Sequence, residues 1–240
     1  MGLFHRKAPQ KPDAICSVVI VAAGSSSRMG QDKIMAELGD MPVILHSVLA
    51  FEAIPAVREI VLVTREELVP EIGRLCREYG ASKVKAVIRG GATRTESARL
   101  GTLEADRDAQ LIAIHDGARP FVTAEVISTV IQRAAETGAA APAIPVKDTI
   151  KLAQKGLVEQ TLDRSRLFAI QTPQVFEASL IRAALQKALD DGAEVTDDCS
   201  AVERLGMKVS LTEGDERNIK LTTPVDLLWG ECLVNGGVYQ

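Results

Sequence analysis

The sequence predicts an α/β fold, doubly wound around a mostly parallel, Rossmann-like sheet, with one β-arm projecting from it. Two observations carry this. Short β-branched apolar runs alternate with helix-period stretches, and a single segment breaks the alternation. The runs lie at Ile15 to Val21, Glu59 to Val63, Val84 to Ile88, Leu111 to His115 and Ala139 to Val146, each bounded by turn residues or polar clusters, as buried strands are. A helix is expected to start near Asp40 with Pro42 in its first turn, where a missing N–H is harmless. The next spans Glu66 to Tyr79, because Leu68, Ile72, Leu75, Cys76 and Tyr79 share one face and Gly80 supplies a stop. The exception is Ile150 to Leu162, which reads as two short strands around Lys155-Gly156 with too few apolar residues for the central sheet. A projecting hairpin over about 147–166 is therefore expected. An isolated pair of strands is marginal in water and would gain stability on a second copy of the chain. A homodimer is the expectation, and a plain surface flap the alternative.

The 240 residues suit one large domain better than two average ones, so 15–234 reads as a single domain behind a flexible tail at 1–14. With 46% apolar and 25% charged residues the composition is that of an ordinary folded protein. A net charge of −4 excludes the broad basic field that holds polymeric nucleic acid, but permits a local cluster of cations around a small anion. Cys16, Cys76, Cys199 and Cys232 are scattered without a CxxC pair or a histidine at ligand spacing, which points to reduced thiols, not zinc or disulfides. The first fourteen residues carry His5, Arg6, Lys7 and Lys11 but no secretory apolar run, and no later stretch approaches the ~18 apolar residues of a membrane span. A cytoplasmic location, away from membranes, is expected.

Ligands of doubly wound sheets sit beyond the carboxyl ends of the strands. There the first strand runs into Ala22-Ala23-Gly24-Ser25-Ser26-Ser27-Arg28-Met29-Gly30-Gln31-Asp32-Lys33. Small side chains leave backbone N–H groups open to an anion, and the arginine and lysine add charge that amides lack. A Walker loop is excluded: five residues separate Gly24 from Gly30, and Gln31 stands where its lysine belongs. The dinucleotide fingerprint fails too, since GxGxxG is absent and Glu66, the first acid after the second strand, lies about 40 residues on instead of about 20. Taken alone, the loop also admits a reading as a glycine-rich turn with incidental charges.

Further motifs follow in order: Gly90-Gly91-Ala92-Thr93-Arg94 with Ser97, His115-Asp116-Gly117-Ala118-Arg119-Pro120, Val146-Lys147-Asp148-Thr149, Asp163-Arg164, Gln171-Thr172-Pro173-Gln174, Thr196-Asp197-Asp198 with Ser200, and Asn218-Ile219-Lys220. With the loop they form an ordered set across residues 15 to 234 that resembles the 2-C-methyl-D-erythritol 4-phosphate cytidylyltransferases of the non-mevalonate isoprenoid pathway. That pattern places Pro-Lys-Gln and an aromatic around the loop lysine, where this chain has Asp32, Ile34 and Met35. No fused cyclase, as some relatives carry, is expected beyond Gln240.

The resemblance implies a nucleotidyltransferase fold and transfer of CMP from CTP to a polyol phosphate, 2-C-methyl-D-erythritol 4-phosphate, with pyrophosphate leaving. A ribitol-5-phosphate cytidylyltransferase is the nearest alternative, and a silent nucleotide-binding module a more distant one. A phosphomonoester, with its second pKa near ~6, is already largely dianionic at neutral pH and needs no general base. The barrier is electrostatic, and fixed cations with Mg²⁺ or another divalent cation answer it. By resemblance, Arg28 and Lys33 stabilise the transition state, with Arg164 and Lys220 completing the catalytic cations. Ala22, Ala23, Gly24, Gly91, Ser97 and Asp116 face the nucleotide. Arg119, Thr149, Arg164, Thr172, Thr196 and Lys220 meet the acceptor. Asp116 is the candidate metal contact, directly or through water, with a helix N-cap as the plainer reading. His115 reads as structural, and His5 and His46 carry no signal.

Overall fold

The computed structural model describes residues 15–24 and 32–236. Its elements run β1 (Cys16–Val21), β2 (Glu37–Leu38), β3 (Met41–Pro42), α1 (Val43–Glu52), β4 (Val57–Thr64), α2 (Val69–Glu78), β5 (Val84–Arg89), α3 (Arg94–Glu104), β6 (Leu111–Asp116), α4 (Ala124–Thr137), β7 (Ala139–Pro145), β8 (Lys151–Gln154), β9 (Leu157–Thr161), β10 (Phe168–Ile170), β11 (Gln174–Glu177), α5 (Ala178–Asp190), α6 (Asp198–Glu203), β12 (Ser210–Glu213) and α7 (Pro224–Asn235). The main sheet is ordered β10-β7-β11-β6-β1-β4-β5, with β12 also paired to β7. Pairs β1–β4, β1–β6, β4–β5 and β7–β12 are parallel. Strand β11 runs antiparallel to both β6 and β7, and β10 antiparallel to β7. Strand β7 therefore points the same way as β6, and the arm leaves from its carboxyl end.

Alternation along the buried strands sorts their side chains to two faces. Val18, Ile20, Ile60 and Leu62 join α1, α2 and α4 in one core through Ile44, Phe51, Ile72 and Ile127. Val19, Val61, Val63, Ile112 and Ile114 join α3, α5 and α6 in the other through Ala98, Ile181 and Val202. A third cluster of Leu38, Val43, Phe121 and Leu221 seats α7 through Leu227 and Leu233. Among the described residues no helix is long and apolar enough to cross a membrane.

The helix expected near Asp40 begins later. Gly39 turns at φ 61 between β2 and β3, and Pro42 is the extended N-cap of α1 at ψ 144. Proline disfavours helical geometry in the residue before it, so Met41 closes a short ladder instead. The helix read over Glu66 to Tyr79 opens with a 3₁₀ turn at Glu66–Leu68 before α2. Strands β8 and β9 form the expected hairpin, paired only with each other and turning at Lys155 (φ 52) and Gly156 (φ 81), the positive-φ pair of a tight hairpin turn.

Candidate active site

The parallel strands β1, β4, β5 and β6 end at one edge, where Ala22 N–H bonds Val63 O, Gly90 N–H bonds Thr64 O and Gly117 N–H bonds Val21 O. Between these strand ends opens a cavity of about 360 Å³, lined by Ala22, Ala23, Gly24, Lys33, Gly91, Arg94, Ser97, Asp116 and Lys220, among others. Its floor is tight by construction. A Cβ on Gly90 would lie 2.5 Å from the Ala23 Cβ and 2.8 Å from the Ser97 Oγ, so glycine is required for the second loop to close against the first. Thr93 caps α3 by accepting the Glu96 N–H at 3.1 Å. Ser97 accepts the Gly91 N–H at 3.1 Å and donates its proton to Thr93 O at 2.9 Å. That hydroxyl thus shapes the loop, and its only proton is committed within the fold.

Asp116, the last residue of β6, is the electrostatic centre. Its Oδ2 lies 2.9 Å from Lys220 Nζ and 3.6 Å from Arg119 Nε, and its Oδ1 lies 3.3 Å from Arg94. Burial alone would raise this carboxyl, but Arg94, Lys220 and Arg119 outweigh it and hold Asp116 well below the usual carboxylate range. Arg94 also donates to both oxygens of the buried Asp198, at 2.9 and 2.7 Å. Arg94, Arg119 and Lys220 ring Asp116, and Lys33 stands in the cavity wall.

Lys220 reaches this point because its segment is pinned from beneath. Arg119 donates to Asn218 O at 2.7 Å, Asn218 donates to Thr172 O at 3.0 Å, Gln171 donates to Asp215 O at 2.7 Å, and Leu221 N–H bonds Ala118 O. Behind Asp116, the buried His115 meets Arg119 O through Nε2 at 3.1 Å and Thr172 Oγ1 through Nδ1 at 3.0 Å. A carbonyl only accepts, so Nε2 carries the proton and the Thr172 hydroxyl donates to Nδ1, while accepting the Asp116 N–H at 3.1 Å. Gln174 accepts the N–H groups of Asp198 and Cys199 and donates to Asp197, which fixes α6 and hence Asp198 against Arg94.

The candidates read from sequence therefore divide. Ala22, Ala23, Gly24, Lys33, Gly91, Ser97, Asp116 and Lys220 share the cavity, whereas Arg28 lies outside the described residues. Thr172 is buried behind Asp116, its hydroxyl lying between His115 Nδ1 and the Asp116 N–H. Arg119 is largely buried beside Asp116 and holds the Lys220 segment. Arg164 and Thr149 are exposed at the base of the arm, Arg164 donating to Lys147 O at 2.8 Å. Thr196 is exposed before α6, 3.2 Å from the Ser200 hydroxyl. Arg94 is the residue that sequence reasoning left among motif letters and the fold sets at the centre.

For a metal, one carboxylate borders the cavity, and among the described residues no group of three or more His, Cys, Asp and Glu stands together to hold an ion. Mg²⁺ commonly takes one or two carboxylates and fills its shell with phosphate oxygens and water. A dication brought in with phosphates would find one carboxylate at this cavity, Asp116.

A doubly wound sheet with small-residue loops and converging cations at its carboxyl edge defines an α/β nucleotidyltransferase. The comparisons with known proteins refine the class. The family profile described as IspD, 2-C-methyl-D-erythritol 4-phosphate cytidylyltransferase, matches residues 16–236, and the chain belongs to that family. The protein of that name from Halalkalibacterium halodurans is 43% identical over 220 residues, covering 91% of this chain and 96% of the relative. The one from Dehalococcoides mccartyi is 46% identical over 221 residues, with the same coverages. The crystal structure of 4-diphosphocytidyl-2C-methyl-D-erythritol synthase from Anaerococcus prevotii superposes with a TM-score of 0.84 at 29% identity, covering 93% of this chain and 97% of that one.

Proposed function

We propose that this chain transfers CMP from CTP to 2-C-methyl-D-erythritol 4-phosphate, releasing pyrophosphate and giving 4-diphosphocytidyl-2-C-methyl-D-erythritol. Family membership supports the reaction, and one observation carries its placement: Lys33, Lys220 and Asp116 share a cavity with the backbone of Ala22, Ala23, Gly24 and Gly91. The small-residue edge takes the nucleotide, whose triphosphate meets the cations. The acceptor phosphate attacks the α-phosphorus in line, and no base is needed because it enters as a dianion.

Lys220 has three donors and gives one to Asp116, which leaves two for phosphate oxygens. Lys33, together with Arg28, stabilises the charge that gathers as pyrophosphate departs, so their effect is expected in turnover more than in binding. Asp116 would hold a dication, which would supply further charge neutralisation. Arg164 and Thr149 stand away from this cavity on the arm. Their role toward the acceptor belongs to a homodimer in which the arm serves a second copy, working in the cytoplasm.

The decisive experiment measures pyrophosphate release with each of CTP, UTP, ATP and GTP against a panel of polyol phosphates and sugar 1-phosphates. The expected result is turnover with CTP and 2-C-methyl-D-erythritol 4-phosphate above every other pair. Preference for ribitol 5-phosphate moves the protein to that cytidylyltransferase. Preference for UTP or a sugar 1-phosphate sinks the reading altogether.

A further inference from the structure

We propose that Arg65 is a positioning residue for Lys33, acting through Asp32 as a latch between the sheet edge and the lysine-bearing turn. This rests on Lys33 being a catalytic cation. Lys33 sits between two anchors of opposite chemistry. On one side Ile34 is buried at 2% exposure, and its carbonyl accepts the Ile44 N–H at 3.0 Å, tying the turn to α1. On the other side the Asp32 carboxylate ion-pairs with the Arg65 guanidinium. Asp32 also closes the turn itself: its carbonyl accepts the Met35 N–H at 3.2 Å and its Oδ1 faces the Ile34 N–H at 3.4 Å.

Arg65 is well placed to be the fixed partner. It follows Thr64, the last residue of β4, and β4 pairs along its length with β1, the strand from which the loop departs. Arg65 Nε also lies 3.0 Å from Glu67 Oε1. The Asp32 and Arg65 side chains are 23% and 26% exposed, against 67% for Glu67, so the latch is the better shielded contact and is weakened less by solvent. The sheet edge thus fixes the backbone one residue before Lys33, and the core fixes it one residue after. A side chain held on both flanks keeps a phosphate-stabilising ammonium in register, where misplacement by about 1 Å can cost on the order of 100-fold in rate.

Arg65 also lines a neighbouring cleft of about 610 Å³ with Thr64, Glu67 and Arg89, which shares Ala23, Gly91 and Ala92 with the first. The test must therefore separate a latch from a direct ligand contact. We expect Arg65→Gln and Asp32→Asn each to lower kcat by about tenfold, with KM for CTP within about twofold and the thermal midpoint nearly unchanged. The double variant should be no worse than either single, because both remove one contact. Normal turnover in Arg65→Gln alongside a collapse in Lys33→Ala overturns the latch while leaving Lys33 catalytic. Additive losses in the double variant make Arg65 a ligand contact and overturn it equally. Normal turnover in Lys33→Ala removes the catalytic lysine, and the latch with it.

Discussion

At the scale of single residues, the site depends on groups whose protonation is set by what encloses them. Burial pushes the His115 imidazole down to about 4, against a smaller upward pull from Asp116, and its two nitrogens are matched to a carbonyl and a hydroxyl. In the unfolded chain the same ring binds a proton near pH 6.5. Between about 6.5 and 4 the unfolded state therefore holds more protons, so stability is complete above that window and falls as pH drops through it. The sum is about 2–3 kcal/mol by pH 4.5. Asp116 has the opposite chemistry and a separate window. Its carboxyl is depressed, so its contribution persists above the unfolded value of about 3.9 and is lost only in stronger acid. Urea unfolding at pH 7 and 4.5 should show the wild type losing about 2–3 kcal/mol more than His115→Gln. Equal losses in the two proteins would mean that His115 is already charged in the fold.

At the scale of elements, α3 shows how closely a helix must approach the sheet to present Arg94 and Ser97. A Cβ on Gly101 would lie 2.2 Å from Val19 Cγ1 and 2.9 Å from Val63 Cγ2, and both valines are fully buried. Alanine is favoured over glycine inside a helix by about 1 kcal/mol, but overpacking a dense core costs about 1–3 kcal/mol. Gly101→Ala should therefore destabilise the protein and lower turnover as Arg94 shifts. Gly73→Ala in α2, where the nearest atom is 3.7 Å away, should stabilise it by a few tenths of a kcal/mol or more. Denaturant midpoints moving the same way in both variants would refute the packing argument. This contrast also marks what the sequence made legible. Helix α2 is amphipathic and declared itself, and the β-branched runs gave β1, β4, β5, β6 and β7 within a residue or two. Strands β10, β11 and β12 span three or four residues, too few for a period to register. Gln174 is polar yet buried, because its partners lie on α6, and Arg94 meets Asp198 across 104 positions. Such pairings exist only once the chain is folded.

At the scale of the whole molecule, the described residues leave one part of the proposed site detached. The cavity is assembled by a sheet with a core on each face, whereas β8 and β9 contribute to neither and are exposed at every position. Leu157 and Val158 are 75% and 61% exposed, and Leu152 half exposed, on a two-stranded arm that water alone stabilises poorly. Apolar surface of this kind on a projecting element suits an interface. A second copy would cover it and would bring Arg164 and Thr149 toward a cavity that, in one chain, they do not line. If the arm serves a neighbour's acceptor site, breaking the assembly should uncouple the two substrates. We expect Leu157→Glu with Val158→Glu to sediment as a monomer, to keep KM for CTP within about twofold, and to raise KM for the polyol phosphate about tenfold or more. The residues proposed to hold the nucleotide line a cavity within one chain, so CTP affinity has no reason to follow the assembly. A monomer with wild-type kinetics for both substrates would confine the reaction to a single chain and remove Arg164 and Thr149 from it.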